Sequence, residues 1–359
     1  MGSRRKNNQC RKSDTAVAAL PKEAVQRLAA YAQNSQRAIR ADWRTWYVWC
    51  TYETRKPGRK KRSPLPIKSQ DLIDFIQAKS PPVLRKPDGS YFLDLSHTTG
   101  QERSASTISR YLSSLRVIHR LAGFTDDPTK NVDVETIRRV VMRGRRGAKP
   151  KQPLRLDAVR RILRVKGQDL RTVRDKAIIA VLYCGMLRRS ELIGLNVEDV
   201  TWDESDGSAT ITIRKSKTDQ GGIGRAGYLA PFAVNALRKW LRLSGISDGP
   251  IFRRVVAGTV TADRAILGKE VARIIKKMLV RAGAAPRAAA AYSGHSARIG
   301  GAHDLVIGGH DLAAIMLAGG WTSPTMPARY TREIRAKDNA MAKLLRSRSN
   351  DCTTKLATS

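Results

Sequence analysis

Residues 143 to 154 read RGRRGAKPKQPL, a run of Gly, Pro and basic side chains with almost nothing apolar to bury. Such a stretch cannot cross a core, and its Gly and Pro interrupt both helices and strand ladders, so it reads as a linker. The chain must therefore close two cores, one on each side, and 359 residues suffice for both.

The first half has a helical period. LPKEAVQRLAAYAQNSQRAIRADWRTWYVWCTYETR carries apolar residues at helical spacing, and Trp43, Trp46, Trp49 and Cys50 extend the pattern into a second helix. SQDLIDFIQAKS follows a basic loop, with Ser69 suited to cap it. The excursion over residues 80–103 holds Pro, Asp-Gly and Ser, which favour irregular chain with at most a short hairpin. SASTISRYLSSLRVIHRLAGF is a strong helix stopped near Gly123, and another is expected around 133–143.

Beyond the linker, RLDAVRRILRVK and VRDKAIIAVLYCGML read as helices. SATITIRKSKTDQGGIGRAGYLA alternates and then turns at DQGGIG, the pattern of two strands joined by a loop. PFAVNALRKWLRLSG, KEVARIIKKMLVRAGA and DLAAIMLAGG return to helix. The expected fold is mainly α: a helical N-terminal domain over 16–143, a linker over 144–153, and a helix-rich mixed α/β domain with a small antiparallel sheet over 154–346. Residues 1–15 and 347–359 are expected to be flexible tails.

Charge narrows the partners. The chain carries 67 Lys+Arg against 31 Asp+Glu, a formal net charge of +36, and such an excess calls for a polyanion, usually nucleic acid. The longest apolar run, residues 177–187, falls far short of the roughly 20 residues that span a bilayer, so no membrane partner is expected. The N-terminal MGSRRKNNQCRKSD lacks the apolar region of a secretory signal. Cys10, Cys50, Cys184 and Cys352 lie too far apart for C-x-x-C metal spacing, and Cys184 sits in an apolar run as a small hydrophobe would. An intracellular protein that handles nucleic acid is the expectation.

Chemistry concentrates in a few places. YSGHSARIGGAHDL, residues 292–305, sets His295 three positions before Arg298, so that both could meet one small anion from one helix face. CGMLRRSELIGLNVEDV holds Arg188 with Glu191 one turn later, RKSKTDQGG sets Lys217 beside the strand turn, and AGGWTSPTMPARYTRE carries Trp321 and then Tyr330. Taken singly, each is ordinary: an i,i+3 ion pair, a solvated lysine, a core tryptophan.

In this order and spacing, Arg188, Glu191, Lys217, H-x-x-R, G-G-W and Tyr330 resemble the tyrosine recombinase, or phage integrase, family. GHSARIG, IMLAGGWT and NAMAKLL narrow the resemblance to its Cre-like members, in which Trp stands where most of the family has His. The resemblance runs from about residue 20 to 346, is strongest after 180, and covers WYVWC and TISRYLSSLRVIHR more loosely. It implies a helical core-binding domain and a tyrosine recombinase catalytic domain. The implied reaction is site-specific cutting and rejoining of double-stranded DNA at short inverted repeats, through a 3′-phosphotyrosyl intermediate and a Holliday junction.

By that resemblance Tyr330 is the nucleophile, and its phosphotyrosyl ester stores the bond energy, so no cofactor is needed for rejoining. Arg188 and Arg298 would meet the phosphate through their planar donor forks, which stay charged at any working pH. His295 would take the proton of Tyr330, whose ordinary pKa near 10 makes it a poor nucleophile at neutral pH. Lys217 would protonate the departing 5′ oxygen, Trp321 would donate its indole N–H, and Glu191 would position the histidine and arginine. No metal is expected, since three cations already face the phosphate. His97, His303 and His310 match no part of the motif.

Similarity to Cre-like helices also suggests DNA contacts at Arg37, Arg44, Ser106 and Arg110, with Lys269, Arg273 and Lys276 as further candidates in the second domain. Met341, Leu344 and Leu345 lie on one face of a terminal helix too short to stand alone, and the family docks that helix on a neighbouring protomer in a homo-tetramer on two DNA sites. A cytoplasmic setting, bacterial and plasmid- or phage-associated, goes with this. The sequence departs from the Cre-like pattern at Pro324 and Pro327, which point to a later or looser start for the helix of Tyr330, and in its longer 80–103 excursion. A type IB-like topoisomerase, with the same chemistry, and a non-cleaving DNA-binding accessory protein remain alternatives.

Overall fold

The computed structural model describes residues 20–53, 62–98, 100, 102–144, 150–214 and 224–336, with 341, 342, 344 and 345 in the C-terminal tail. The chain separates into two compact units, Met1–Ala148 and Lys149–Ser359.

The first unit contains α1 (Lys22–Leu28), α2 (Gln33–Val48), α3 (Ser69–Lys79), α4 (Ala105–Leu121) and α5 (Val132–Gly144). Its centre is aromatic. Trp43 and Trp46, one turn apart on α2, are fully buried; Trp46 stacks on Trp49 at 5.4 Å, and Phe75 of α3 meets both indoles edge-on at 5.2 Å. Offset and edge-on pairs of this kind add about 0.5–1.5 kcal/mol each beyond the area they bury. The Trp46 indole N–H is not stranded, because it donates to the Pro64 carbonyl at 3.0 Å. Ser69 is the first residue of α3 rather than its cap; Lys68 holds the cap position, and the Ser69 hydroxyl donates to the Pro128 carbonyl instead.

One buried polar contact fixes α2 against α4. Asp42 accepts hydrogen bonds from the Ser114 hydroxyl and from Arg110, both at 2.6 Å, and burial raises its carboxyl pKa against the pull of those two partners. Within the excursion a short hairpin does form, with β1 (Val83–Arg85) antiparallel to β2 (Tyr91–Leu93) and Val83 opposite Leu93. It turns through Gly89 at φ 83°, a conformation that favours glycine.

The second unit assembles α6 (Leu156–Leu163), α7 (Leu170–Cys184), α8 (Arg189–Ile193), α9 (Pro231–Ser244), α10 (Gly268–Arg281), α11 (Pro286–Ala289), α12 (Ser296–Ile307), α13 (Leu312–Gly319) and α14 (Thr325–Ala336). Helix α7 is the axle. Ala177 through Leu182 are all fully buried, which is why this stretch is apolar on every side rather than along one stripe. Asp169 caps it by accepting the Thr172 N–H at 3.0 Å.

Three antiparallel strands, β3 (Val200–Trp202), β4 (Ala209–Ile213) and β5 (Arg225–Leu229), form a sheet in that order. Ala209, Ile211 and Ile213 point inward and alternate with exposed Thr210 and Thr212, so β4 has one face in the core. The hairpin was expected; β3 and a second hairpin, β6 (Arg253–Val256) with β7 (Thr259–Ala265), were not. That second turn sets Ala257 at φ 49° and Gly258 at φ 82°, so an alanine stands where Asn or Asp would usually signal such a turn.

Past the linker the chain is laid along α12. The Leu154 N–H donates to the Ser296 carbonyl at 2.8 Å, and a Cβ on Gly300 would lie 1.9 Å from the Leu154 carbonyl oxygen. Only glycine permits that approach. Asp304, on the same helix, accepts from the Leu156 N–H at 2.8 Å, from Arg155 at 2.7 Å and from the Tyr183 hydroxyl at 2.6 Å.

The prolines do not delay the helix of Tyr330. Helix α14 begins at Thr325 and carries buried Pro327 in its first turn, where N–H groups have no intrahelical acceptor and a proline forfeits nothing. Tyr330 is therefore well inside the helix.

Candidate active site

His295 and Arg298 meet at the start of α12. His295 is the residue just before the first helical turn, and Arg298 lies within that turn. The surrounding sequence is shaped by close approach: a Cβ on Gly294 would lie 2.1 Å from the Arg189 side chain, and fully buried Ser296 accepts the Ser293 N–H through its hydroxyl at 2.8 Å. Arg298 is 2% exposed. Its Nη1 donates at 2.5 Å to the carbonyl of Met186, a residue held at φ 45°, while its Nη2 is buried without a hydrogen-bond partner.

Arg188 precedes α8 and is locked to Glu191. The Glu191 carboxylate, 4% exposed, accepts the Arg188 N–H at 2.8 Å and its Nη1 at 2.6 Å. Its other partner is Arg225, at 3.3 Å; of the histidine and arginine that the resemblance implied Glu191 would position, it bonds the arginine and makes no hydrogen bond to His295. Arg225 also donates to the Gly185 carbonyl at 3.1 Å and to Ala318 at 3.4 Å, tying the start of β5 to the end of α13.

The G-G-W turn explains itself sterically. A Cβ on Gly319 would fall 2.0 Å from the Trp321 ring; Gly320 sits at φ 59°, and a Cβ there would lie 2.4 Å from Arg225. The turn thus lets Trp321 fold back, so that the Arg298 guanidinium lies over its ring at 4.1 Å and the Tyr330 ring meets it edge-on at 6.2 Å between centroids.

Electrostatics mark the cluster as cation-rich. Burial and the nearby charges of Arg188 and Arg225 push the Arg298 guanidinium down to about 10, with Glu191 and Tyr330 opposing. Burial, then Arg189, Arg298 and Arg188, lower the His295 imidazole below its ordinary value. Burial would raise Glu191, but its bonds from Arg188 and the charges of Arg188 and Arg225 outweigh that and hold the carboxyl low. Arg188, Arg225 and Arg298 therefore have one buried carboxylate among them, with His295 beside the same arginines, and such an arrangement favours an anion.

The structure brings Arg188, Glu191, His295, Arg298, Trp321 and Tyr330 together; Lys217 lies outside the described residues. Sequence reasoning missed Arg225 and Met186, and it set aside His303, whose Nε2 lies 2.7 Å from the Tyr330 carbonyl. Neither a lone arginine in a strand nor a backbone carbonyl carries a local signal. Among the DNA-contact candidates, Arg37 and Arg44 are exposed on α2, and Ser106 and Arg110 on α4, where Arg110 is held by Asp42. Lys269, Arg273 and Lys276 line one cleft along α10. Among the described residues no group of His, Cys, Asp and Glu could hold a metal ion, and no helix is long and apolar enough to cross a membrane. Cys184 is half-buried against the core, and burial raises its thiol to about 11.

The phage integrase family model matches residues 152–336. Recombinase Cre of Escherichia phage P1 is 25% identical over 335 residues, 88% of this chain and 89% of that protein. An integrase/recombinase XerD homolog of Selenomonas ruminantium is 28% identical over 328 residues, 87% of this chain and 86% of its own. Among solved structures, the XerH site-specific recombinase bound to a palindromic difH substrate in a post-cleavage complex shares the fold, with a TM-score of 0.59 at 17% identity, over 84% of this chain and 78% of that one.

Proposed function

The chain belongs to the phage integrase family, and on that premise we propose that it is a site-specific DNA recombinase with its chemistry at the cluster around Arg298. It cleaves and rejoins DNA at short inverted repeats through a 3′-phosphotyrosyl intermediate and a Holliday junction. The observation that carries the assignment of the site is Arg298 itself. A guanidinium 2% exposed, with a buried Nη2 that has no partner and two further arginines near it, is suited to a phosphate oxygen.

In this reading the Tyr330 hydroxyl oxygen attacks phosphorus and passes its proton to His295. The bond to the 5′ oxygen breaks, and Lys217 supplies that oxygen's proton. Arg188 and Arg298 neutralise the non-bridging oxygens, and Trp321 adds an indole N–H. Glu191 binds no phosphate; it orients Arg188. Rejoining reverses each transfer, and the tyrosyl ester conserves the energy of the broken bond.

DNA contacts are assigned to Arg37, Arg44, Ser106, Arg110, Lys269, Arg273 and Lys276, and binding should weaken steeply with salt. Met341, Leu344 and Leu345, all exposed, are assigned to docking on a neighbouring protomer in a tetramer on two sites, acting on plasmid or phage DNA in a bacterial cytoplasm.

Covalent capture tests the whole reading. Protein is incubated with fragmented DNA of its own replicon and quenched in detergent, and the protein-linked fragments are sequenced, with Tyr330→Phe in parallel. Adducts should converge on one inverted repeat and vanish with Tyr330→Phe. Scattered adducts would favour a topoisomerase, and salt-sensitive binding without any adduct would overturn the mechanism.

A further inference from the structure

Helix α14 must hold Tyr330 at a fixed height along its own axis, because a shift of about 1 Å in a reacting group can cost a hundredfold in rate. Its apolar contacts supply packing but little to stop a helix sliding, since dispersion contacts are individually weak and non-directional. Thr331 is fully buried, yet its hydroxyl donates to Pro327 within the same helix. The Trp321 and Tyr330 rings touch without a hydrogen bond.

Among the described residues a single hydrogen bond joins α14 to another element. It runs from His303 Nε2 on α12 to the carbonyl of Tyr330, at 2.7 Å. A carbonyl can only accept, so the Nε2 of this half-buried imidazole carries the hydrogen. The helix that supplies His303 also carries Arg298 and begins just after His295. The bond therefore references the backbone of the nucleophile to the frame that holds the phosphate-binding groups.

We propose that His303 is a positioning residue for strand cleavage, setting the axial register of Tyr330 through that carbonyl while touching no DNA itself. This rests on the assignment of Tyr330 as nucleophile. Loss of the bond should slow attack and leave DNA affinity alone, because the bond joins two groups of the protein and neither is one of the proposed phosphate-binding side chains. One net hydrogen bond is worth about a tenfold change in rate.

Two substitutions separate positioning from bulk stability. In His303→Gln the amide nitrogen reaches about as far as Nε2 and can still donate to the Tyr330 carbonyl; in His303→Asn it reaches only as far as Nδ1. Both are polar and of similar size. The probe is the inverted-repeat duplex recovered by covalent capture, nicked beside the scissile phosphate so that religation is blocked. Adduct formation is timed at saturating protein, and Kd and the melting temperature are measured alongside. The expected result is His303→Asn about tenfold slower and His303→Gln within about threefold of the native rate, with Kd unchanged for both. Equal rates for the two variants, whether both native or both slow, would overturn the proposal, as would a loss that appears in Kd. Absence of any adduct from the native protein would instead remove the assignment of Tyr330.

Discussion

Glu191→Gln is the most informative single change in the cluster. The amide keeps the shape of the side chain and removes the one carboxylate that Arg188 and Arg225 share. Its oxygen can still accept from the Arg188 N–H, but its NH2 must face a guanidinium donor. At 4% exposure water cannot compensate. Two charge-assisted bonds of about 1.5–3 kcal/mol each are at stake, and breaking a buried pair by removing one partner costs about 3–5 kcal/mol, so a loss of about 3–5 kcal/mol is expected. For a unit of this size that corresponds to a fall in Tm of roughly 6–20 °C.

Urea unfolding of the DNA-free protein at pH 7 would measure the loss, and acid provides an internal control. The folded carboxyl lies below its ordinary value, so its contribution is complete above the unfolded pKa, about 4.3, and is lost as pH falls through the lower folded value. The gap between native protein and Glu191→Gln should therefore hold from pH 7 to pH 5 and close under acid, where protonated Glu191 resembles the amide. Equal stability at pH 7, or a gap that widens on acidification, would refute the reasoning.

Other outcomes follow from the same geometry. Burial and three arginines hold the His295 imidazole below its ordinary 6.5, so the neutral form that the proposed mechanism requires extends to lower pH than in a free histidine. The acid limb of kcat/KM for cleavage should have its midpoint below pH 6.5 and disappear in His295→Gln; a midpoint above 6.5 would contradict the assignment. Gly319→Ala places a methyl 2.0 Å from the Trp321 ring, which must swing away from Arg298 and Tyr330. Cleavage should fall by at least about tenfold, against an overpacking cost of about 1–3 kcal/mol in unfolding, and an unchanged cleavage rate would show that Trp321 has no part at the phosphate.

What the sequence disclosed and what it withheld divide along a physical line. Periodic burial is local, so the tryptophan face of α2 and the all-round apolar α7 were legible, as was the alternation of Ala209, Ile211 and Ile213. The order of Arg188, Glu191, His295, Arg298, Trp321 and Tyr330 was legible only through its resemblance to a family pattern, since each short motif taken singly is ordinary. The groups that hold them in place were not. Arg225 reaches Glu191 across 34 residues, the Arg298 anchor is a backbone carbonyl 112 residues away, and His303 meets Tyr330 across 27. The turn at Ala257-Gly258 was hidden by an alanine in a left-handed conformation that sequence alone assigns to Asn or Gly. Even H-x-x-R was read as two residues on a helix face, whereas it opens the helix, with the imidazole just ahead of the first turn and the guanidinium buried within it. The difference matters for charge. The N-terminal end of α12 adds its own partial positive charge to Arg188, Arg225 and Arg298, and this unbalanced sum, more than any one side chain, is what an incoming phosphate would neutralise.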